Sequence, residues 1–355
     1  MTTSTALKRL AQQRLTANPL ATPGEVVGWL GAVQAQDYYG AKWSLGLRMQ
    51  NPTDDLIDQA FDEGAILRTH VMRPTWHLVT PDDIRWMLAL TAARVKAANA
   101  YMCRQLELDE ALFARSSPAI AGALEGGQCL TRAELGAKLA EAGIKAEGNR
   151  LNYVMMQAEL DGVICSGPRR GRQHSYALLE ERAPQARTLA RDEALAELAR
   201  RYFTGHGPAT VHDFSWWSGL TVADAKTGVE MAAAHLAQEE IDGETHWLSE
   251  EIAASEAALE AKPAPQALLL PTYDEFLVGY TAYDAARRAG REEVAFNSAL
   301  AIDGQIAGSW RRTLKRGTAV VELAPFEPLT DAQAEAVGDA ARRYGEFLGL
   351  NVVLS

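Results

Sequence analysis

The sequence predicts an α+β protein, mainly α, in which three helix-rich units precede a small C-terminal sheet domain. Three observations carry that expectation. A run of helices followed by an alternating apolar stretch occurs three times, the composition turns strand-like after residue 263, and 355 residues at 47% apolar content supply more than one core.

The first unit, 1–105, opens with helical spacing over 5–16 and 23–36, the second helix being started by Thr22 as N-cap and Pro23 in its first turn. A helix over 53–62 leads into the alternating run 67–79, which reads as a hairpin. The second unit, 106–185, has a helix over 110–124, a capping box at Thr131 and Glu134 opening 131–142, and a helix over 148–161. Asp161-Gly162 starts its hairpin, whose strands are joined by the loop 168–173. The third unit, 186–262, runs from a helix over 190–204 through helix starts at 210–213 and 221–224 to a hairpin over 236–248 turned by Asp242-Gly243. Three helices with a hairpin beside them is the order of a winged helix, so three tandem winged-helix units are expected. Past an Ala-, Pro- and Glu-rich linker at 251–266, the domain 263–355 shows strand-like runs at 267–271, 276–280, 299–303, 306–312 and 318–323. With a turn at Asp303-Gly304 and a helix over 330–348, it reads as a small β-barrel-like α+β domain.

Composition removes whole classes of function. No signal-like leader and no run of about twenty apolar residues is present, so a cytoplasmic protein without a membrane partner is expected. Cys103, Cys129 and Cys165 are odd in number and too widely spaced for a metal pair, which suits reduced structural thiols. A net charge of −11 excludes coating of nucleic acid by the whole surface, so any DNA contact must be local. Two acid-free basic runs could supply it: Arg169, Arg170 and Arg172 within 166–178, and Arg311, Arg312, Lys315 and Arg316 within 309–317. Each also reads as a solvated turn. No P-loop, dinucleotide fingerprint, nucleophile elbow or zinc-protease motif appears.

The chemistry centres on Gln34-Ala35-Gln36. Two carboxamides can orient a water and contact a sugar without acting as strong bases, which suits a leaving group that is already cationic. On a regular helix, residues two apart lie about 200° apart, so the pair converges only if the helix ends near 36. Asp37-Tyr38-Tyr39-Gly40 supplies such an end, with Gly40 as breaker and Asp37 as a minor electrostatic candidate. Two surface amides are the plain alternative. The hairpin 67–79 carries Arg68, His70, Arg73, Thr75, Trp76 and His77. Arg73 and Pro74 at its tip suit phosphate contact or wedging, and the two histidines can donate to phosphate or base edges. The histidines lack a third partner at zinc-site spacing, and Trp76 reads equally as the core of the wing. Trp216-Trp217 reads as core, and Asp274-Glu275 as strand-end hydrogen bonding.

The phrases Ala32 to Gln36, Arg68 to Val79, Leu269 to Tyr280, Gly308 to Leu314 and Val320 to Phe326 resemble the winged-helix DNA glycosylases of the AlkZ/YcaQ type, and the resemblance spans nearly the whole chain. It implies three tandem winged helices and a C-terminal barrel wrapped as a C-shaped channel around DNA. It also implies a monofunctional DNA repair glycosylase that excises N7-alkylated guanine or bulky cationic purine adducts, some members unhooking interstrand crosslinks. Gln34 and Gln36 match the catalytic motif, with Ala35 small for its middle position, and the run from Arg68 to Val79 matches the hairpin that approaches the lesion. The implied partner is double-stranded DNA containing alkylated bases, bound by a nucleoid-associated monomer without a cofactor. A noncatalytic winged-helix DNA-binding protein or transcriptional regulator is the alternative.

Overall fold

A computed structural model describes residues 3–250, 264–281 and 297–355, so most of the expected linker lies outside the described residues. In chain order the elements begin with α1 (Thr3–Gln12), α2 (Pro23–Leu30), β1 (Val33–Gln34), α3 (Tyr38–Gly46), α4 (Asp54–Glu63), β2 (Leu67–His70), β3 (Trp76–Val79) and α5 (Ile84–Gln105). There follow α6 (Glu110–Leu124), β4 (Leu130–Thr131), α7 (Arg132–Glu141), α8 (Gly148–Leu160), β5 (Ile164–Ser166), β6 (Ser175–Leu178), α9 (Leu179–Arg182) and α10 (Arg191–His206). The remainder comprises α11 (Val211–Ser218), α12 (Val222–Ala232), β7 (Leu236–Ile241), β8 (Glu244–Ser249), β9 (Ala267–Leu270), α13 (Glu275–Val278), β10 (Ala299–Ile302), β11 (Gln305–Lys315), β12 (Thr318–Pro325), α14 (Asp331–Leu348) and β13 (Asn351–Leu354). The result is an α+β protein in which packing gathers two compact units, one of 1–57, 196–217 and 221–355 and the other of 58–195 and 218–220. These units follow packing, whereas the four expected segments follow sequence order. No helix among the described residues is long and apolar enough to cross a membrane.

In the first unit the expected helix over 23–36 stops at Leu30. Gly31 takes φ +82°, a conformation that L side chains rarely adopt, and turns the chain out of the helix and toward β1. Gly40, expected to break a helix, lies inside α3 instead. That helix is buried along nearly its whole length, so it carries no polar stripe to announce it. The C-terminal strands form one curled open sheet in the order β13-β12-β11-β10-β9, a half-barrel rather than a closed one. β12 and β13 are parallel and the other neighbours antiparallel. The strand expected at 276–280 is the short helix α13, whose N-cap Asp274 accepts the Phe276 N–H at 2.9 Å. Trp43 from α3 packs against Tyr344 and Phe347 of α14, at ring separations of 4.9 and 5.0 Å. The indoles of Trp43 and Trp310 donate to the Leu269 and Leu270 carbonyls at 2.7 and 2.8 Å, tying α3 and β11 to strand β9. The hairpin β7–β8 turns at Asp242 (φ 54°) and Gly243 (φ 80°), as the Asp-Gly pair predicts.

The second unit holds the hairpin β2–β3, in register from Leu67 opposite Val79 to His70 opposite Trp76. It also holds the 22-residue α5, which the sequence reading left unassigned, and the three-stranded sheet β4-β6-β5 over a core of α6, α7 and α8. The loop expected at 168–173 closes between Arg170 and Gln173, with Gly171 at φ +65°. The tip of β2–β3 is held from below: the Met72 N–H donates to Thr91 Oγ1 at 3.0 Å, and the Met72 carbonyl lies against Gly219. A Cβ on Gly219, whose φ is +69°, would sit 2.2 Å from that carbonyl oxygen. Gly219→Ala is therefore expected to cost about 2 kcal/mol or more of stability through clash and backbone strain, measured by urea unfolding; a loss near zero would remove this contact as the support of the tip.

Candidate active site

Gln34 is the last residue of β1 and is buried, Ala35 is wholly buried, and Gln36 is exposed. Neither glutamine is helical, so the half-turn separation of a helix does not keep them apart. The last backbone N–H of the strand meets a carboxylate distant in sequence. Glu275 Oε1 accepts the Gln34 backbone N–H at 2.8 Å, while Oε2 accepts the Trp217 indole N–H at 2.9 Å and lies 3.3 Å from His206 Nε2. Glu275 and His206 are both wholly buried, and the imidazole stacks on Tyr202 at 4.8 Å. The neighbouring Asp274 takes the Arg48 guanidinium as a fork, 2.9 Å to each oxygen, together with the Ser44 hydroxyl at 2.7 Å. Arg48 also reaches Gln13 Oε1 at 2.6 Å. Adjacent carboxylates thus hold the elements on either side of the connector that carries Gln36: Glu275 holds β1, and Asp274 holds the far end of α3. Strand-end hydrogen bonding, expected for this pair, is corrected to two buried anchors at the start of a helix.

Around the connector, Asp37 occupies the N-cap position of α3 without making a side-chain capping bond. A Cβ on Gly40 would sit 2.8 Å from Asp37 Oδ2, so glycine lets that carboxylate lie over the first turn. Tyr39 is 42% exposed. The Arg312 guanidinium stands 6.0 Å from its ring and donates to the Tyr344 hydroxyl at 2.6 Å. Burial, opposed by the Arg312 charge, raises the pKa of that hydroxyl. Arg311, next along β11, points to the other face opposite Glu322, and Arg311, Lys315 and Arg316 are exposed. Of the two tryptophans expected in the core, Trp217 is wholly buried but Trp216 is 41% exposed.

In the second unit the hairpin residues turn largely inward. Arg68 is buried with its guanidinium 4.2 Å from the Trp76 ring centre, and His70 packs 4.3 Å from the same ring. His70 Nδ1 meets Glu159, and His77 is wholly buried with Nδ1 3.0 Å from the Thr75 carbonyl. Arg73, Thr75 and Trp76 are half-buried. Arg169 lies 3.5 Å from Asp58, and exposed Arg170 grips both oxygens of Glu134 at 2.7 and 2.8 Å. Arg172 is exposed and enters no ion pair among the described residues. Burial, with Arg68 and Arg169 nearby, pushes the His174 pKa from 6.5 down to about 3. Cys165 is buried and its thiol pushed up to about 12, while Cys103 and Cys129 are half-buried. No group of three potential metal ligands gathers among the described residues.

Sequence reasoning named the glutamine pair, read Trp217 as core and Asp274-Glu275 as hydrogen-bonding groups, but did not connect Glu275, His206, Trp217 and Arg48 with the segment from β1 to α3. One signal was available, an Asp-Glu dipeptide inside the apolar run 268–280.

A sequence profile of the family described as DNA glycosylase AlkZ-like matches residues 27–347. An interstrand DNA cross-link repair glycosylase from Streptomyces sahachiroi is 25% identical over 320 residues, covering 85% of each chain. The solved structure of Streptomyces sahachiroi DNA glycosylase AlkZ shares the fold, with a TM-score of 0.79 at 22% identity over 99% of each chain.

Two outcomes follow from this geometry. Asp274→Ala leaves the buried Arg48 cation without its partner, and urea unfolding should show a loss of about 3–5 kcal/mol; an Arg48→Met, Asp274→Leu double variant should recover part of it. For His174 the unfolded chain takes up the proton first, so stability falls as pH drops from 6.5 toward 3. His174→Asn should flatten the stability profile between pH 6.5 and 5, and an unchanged slope would reject the assignment.

Proposed function

The chain belongs to the DNA glycosylase AlkZ-like family, and from that membership we propose that it excises N7-alkylated guanine or bulky cationic purine adducts from double-stranded DNA. The Streptomyces sahachiroi relative is named for interstrand cross-link repair, and crosslinked purines belong to the same proposal. The supporting observation is that the profile match encloses a non-helical Gln34-Ala35-Gln36 connector, tethered at Gln34 and open to solvent at Gln36.

Alkylation at N7 makes the base cationic, so the bond from C1′ to N9 breaks with its electron pair passing to the departing neutral base. Water then bonds to C1′ and releases a proton to solvent. The carboxamides of Gln34 and Gln36 orient that water and contact the sugar, a task that needs geometry more than base strength. Asp37 supplies negative charge toward the oxocarbenium-like sugar. Arg172, Arg311, Lys315 and Arg316 are the exposed cations proposed for phosphate, joined by Arg73 at the hairpin tip, whereas inward-turned Arg68, His70 and His77 shape the hairpin. The arrangement proposed is three tandem winged helices at 1–105, 106–185 and 186–262 with the sheet domain at 263–355, acting as a cytoplasmic monomer without a cofactor.

A duplex bearing one 7-methylguanine, incubated with the protein and then cleaved with alkali, should break at the lesion. Gln34→Ala and Gln36→Ala should each slow cleavage by about 100-fold. Full activity in both variants would sink the water-placing role, and tight binding of undamaged duplex without base release would point to the noncatalytic reading. Lys315→Ala and Arg316→Ala should weaken binding and reduce the slope of log affinity against log salt by about one per lost phosphate contact; an unaltered slope removes them from the interface.

A further inference from the structure

We propose that Glu275 is the positioning residue of the glutamine pair: its carboxylate, anchored on Trp217 and His206, sets where β1 ends and hence where the two amides point. This rests on the reading that Gln34 and Gln36 place the attacking water.

The donor set demands a carboxylate. A backbone N–H and an indole N–H can only donate, and they approach different oxygens of Glu275, at 2.8 and 2.9 Å. Both oxygens must therefore accept, which a glutamine cannot do because one of its two terminal groups is itself a donor. His206 is committed to the same purpose. Its Nδ1 is buried with no hydrogen-bond partner among the described residues, so Nε2, facing Glu275 Oε2, is the ring's one polar engagement. The backbone makes room for it, since a Cβ on Gly279 would lie 2.8 Å from His206 Cδ2. Trp217 closes the loop from the other side: its Cη2 lies 3.4 Å from the Cβ position of Gly31, the residue that ends α2 and begins the turn into β1. One indole thus touches the start of the connector with its ring and the carboxylate at the far end with its N–H. The charge has no solvent exposure and meets the last backbone N–H of a strand only two residues long.

The test compares full-length wild type with Glu275→Gln and Glu275→Asp on the 7-methylguanine duplex under single turnover, with duplex affinity and thermal unfolding followed in parallel. Glu275→Gln should slow base release by about 100-fold while affinity stays within about 3-fold, because a misplaced catalytic group costs rate and the phosphate contacts lie elsewhere. Glu275→Asp, whose shorter side chain cannot span both donors, should fail likewise. A folded Glu275→Gln that releases base as fast as wild type overturns the positioning role alone, whereas a wild type that releases no base overturns the glycosylase reading and this inference with it. If the variants do not fold, hydrogen exchange in the wild type decides: a Gln34 amide as protected as core strands supports the bond to Glu275, and one that exchanges freely overturns it.

Discussion

The hydrogen bond from the Gln34 amide to Glu275 is the constraint from which the rest of the site takes its shape. β1 is only two residues long and follows a glycine turn. A buried carboxylate with donors at both oxygens ties its end to the Trp217 indole, and the cost of burying that charge is offset by those bonds. Its neighbour Asp274 works on α3 through Arg48 and Ser44. Because the two acids are consecutive at the head of α13, any shift of that short helix moves strand and helix together.

The charges nearer the surface are arranged differently. Arg312 is tied by Tyr344 and overlooks exposed Tyr39, while Arg311, Lys315 and Arg316 stand free of the core on the same hairpin. An acidic protein can thus present a cationic strip without a basic overall composition. In the second unit most of the hairpin's polar groups are spent on internal partners, His70 on Glu159 and Arg68 on the Trp76 face. The hairpin is built as a stiff object, with its tip resting on Gly219.

Local signals were legible in the chain. Thr22, Thr131 and Thr221 cap helices as their spacing indicates, and Asp242-Gly243 and Asp303-Gly304 turn as such pairs do. The sequence reading failed where burial erases periodicity. α3 is buried on nearly all sides, Lys42 and Ser44 included, and shows no helical stripe, the apolar run 276–280 resembles a strand, and Gly31 lies inside a helical pattern. The glutamine pair was visible as a motif, but its anchors were not: Glu275 lies 241 residues from Gln34, and pairing over that distance leaves no local trace.

That separation also orders events in the life of the polypeptide. On the ribosome the two amides emerge early, yet the acids that seat them appear only after more than two hundred further residues have been made. A nascent chain that has not yet reached residue 274 would carry the two glutamines without the carboxylates that hold the elements on either side of them.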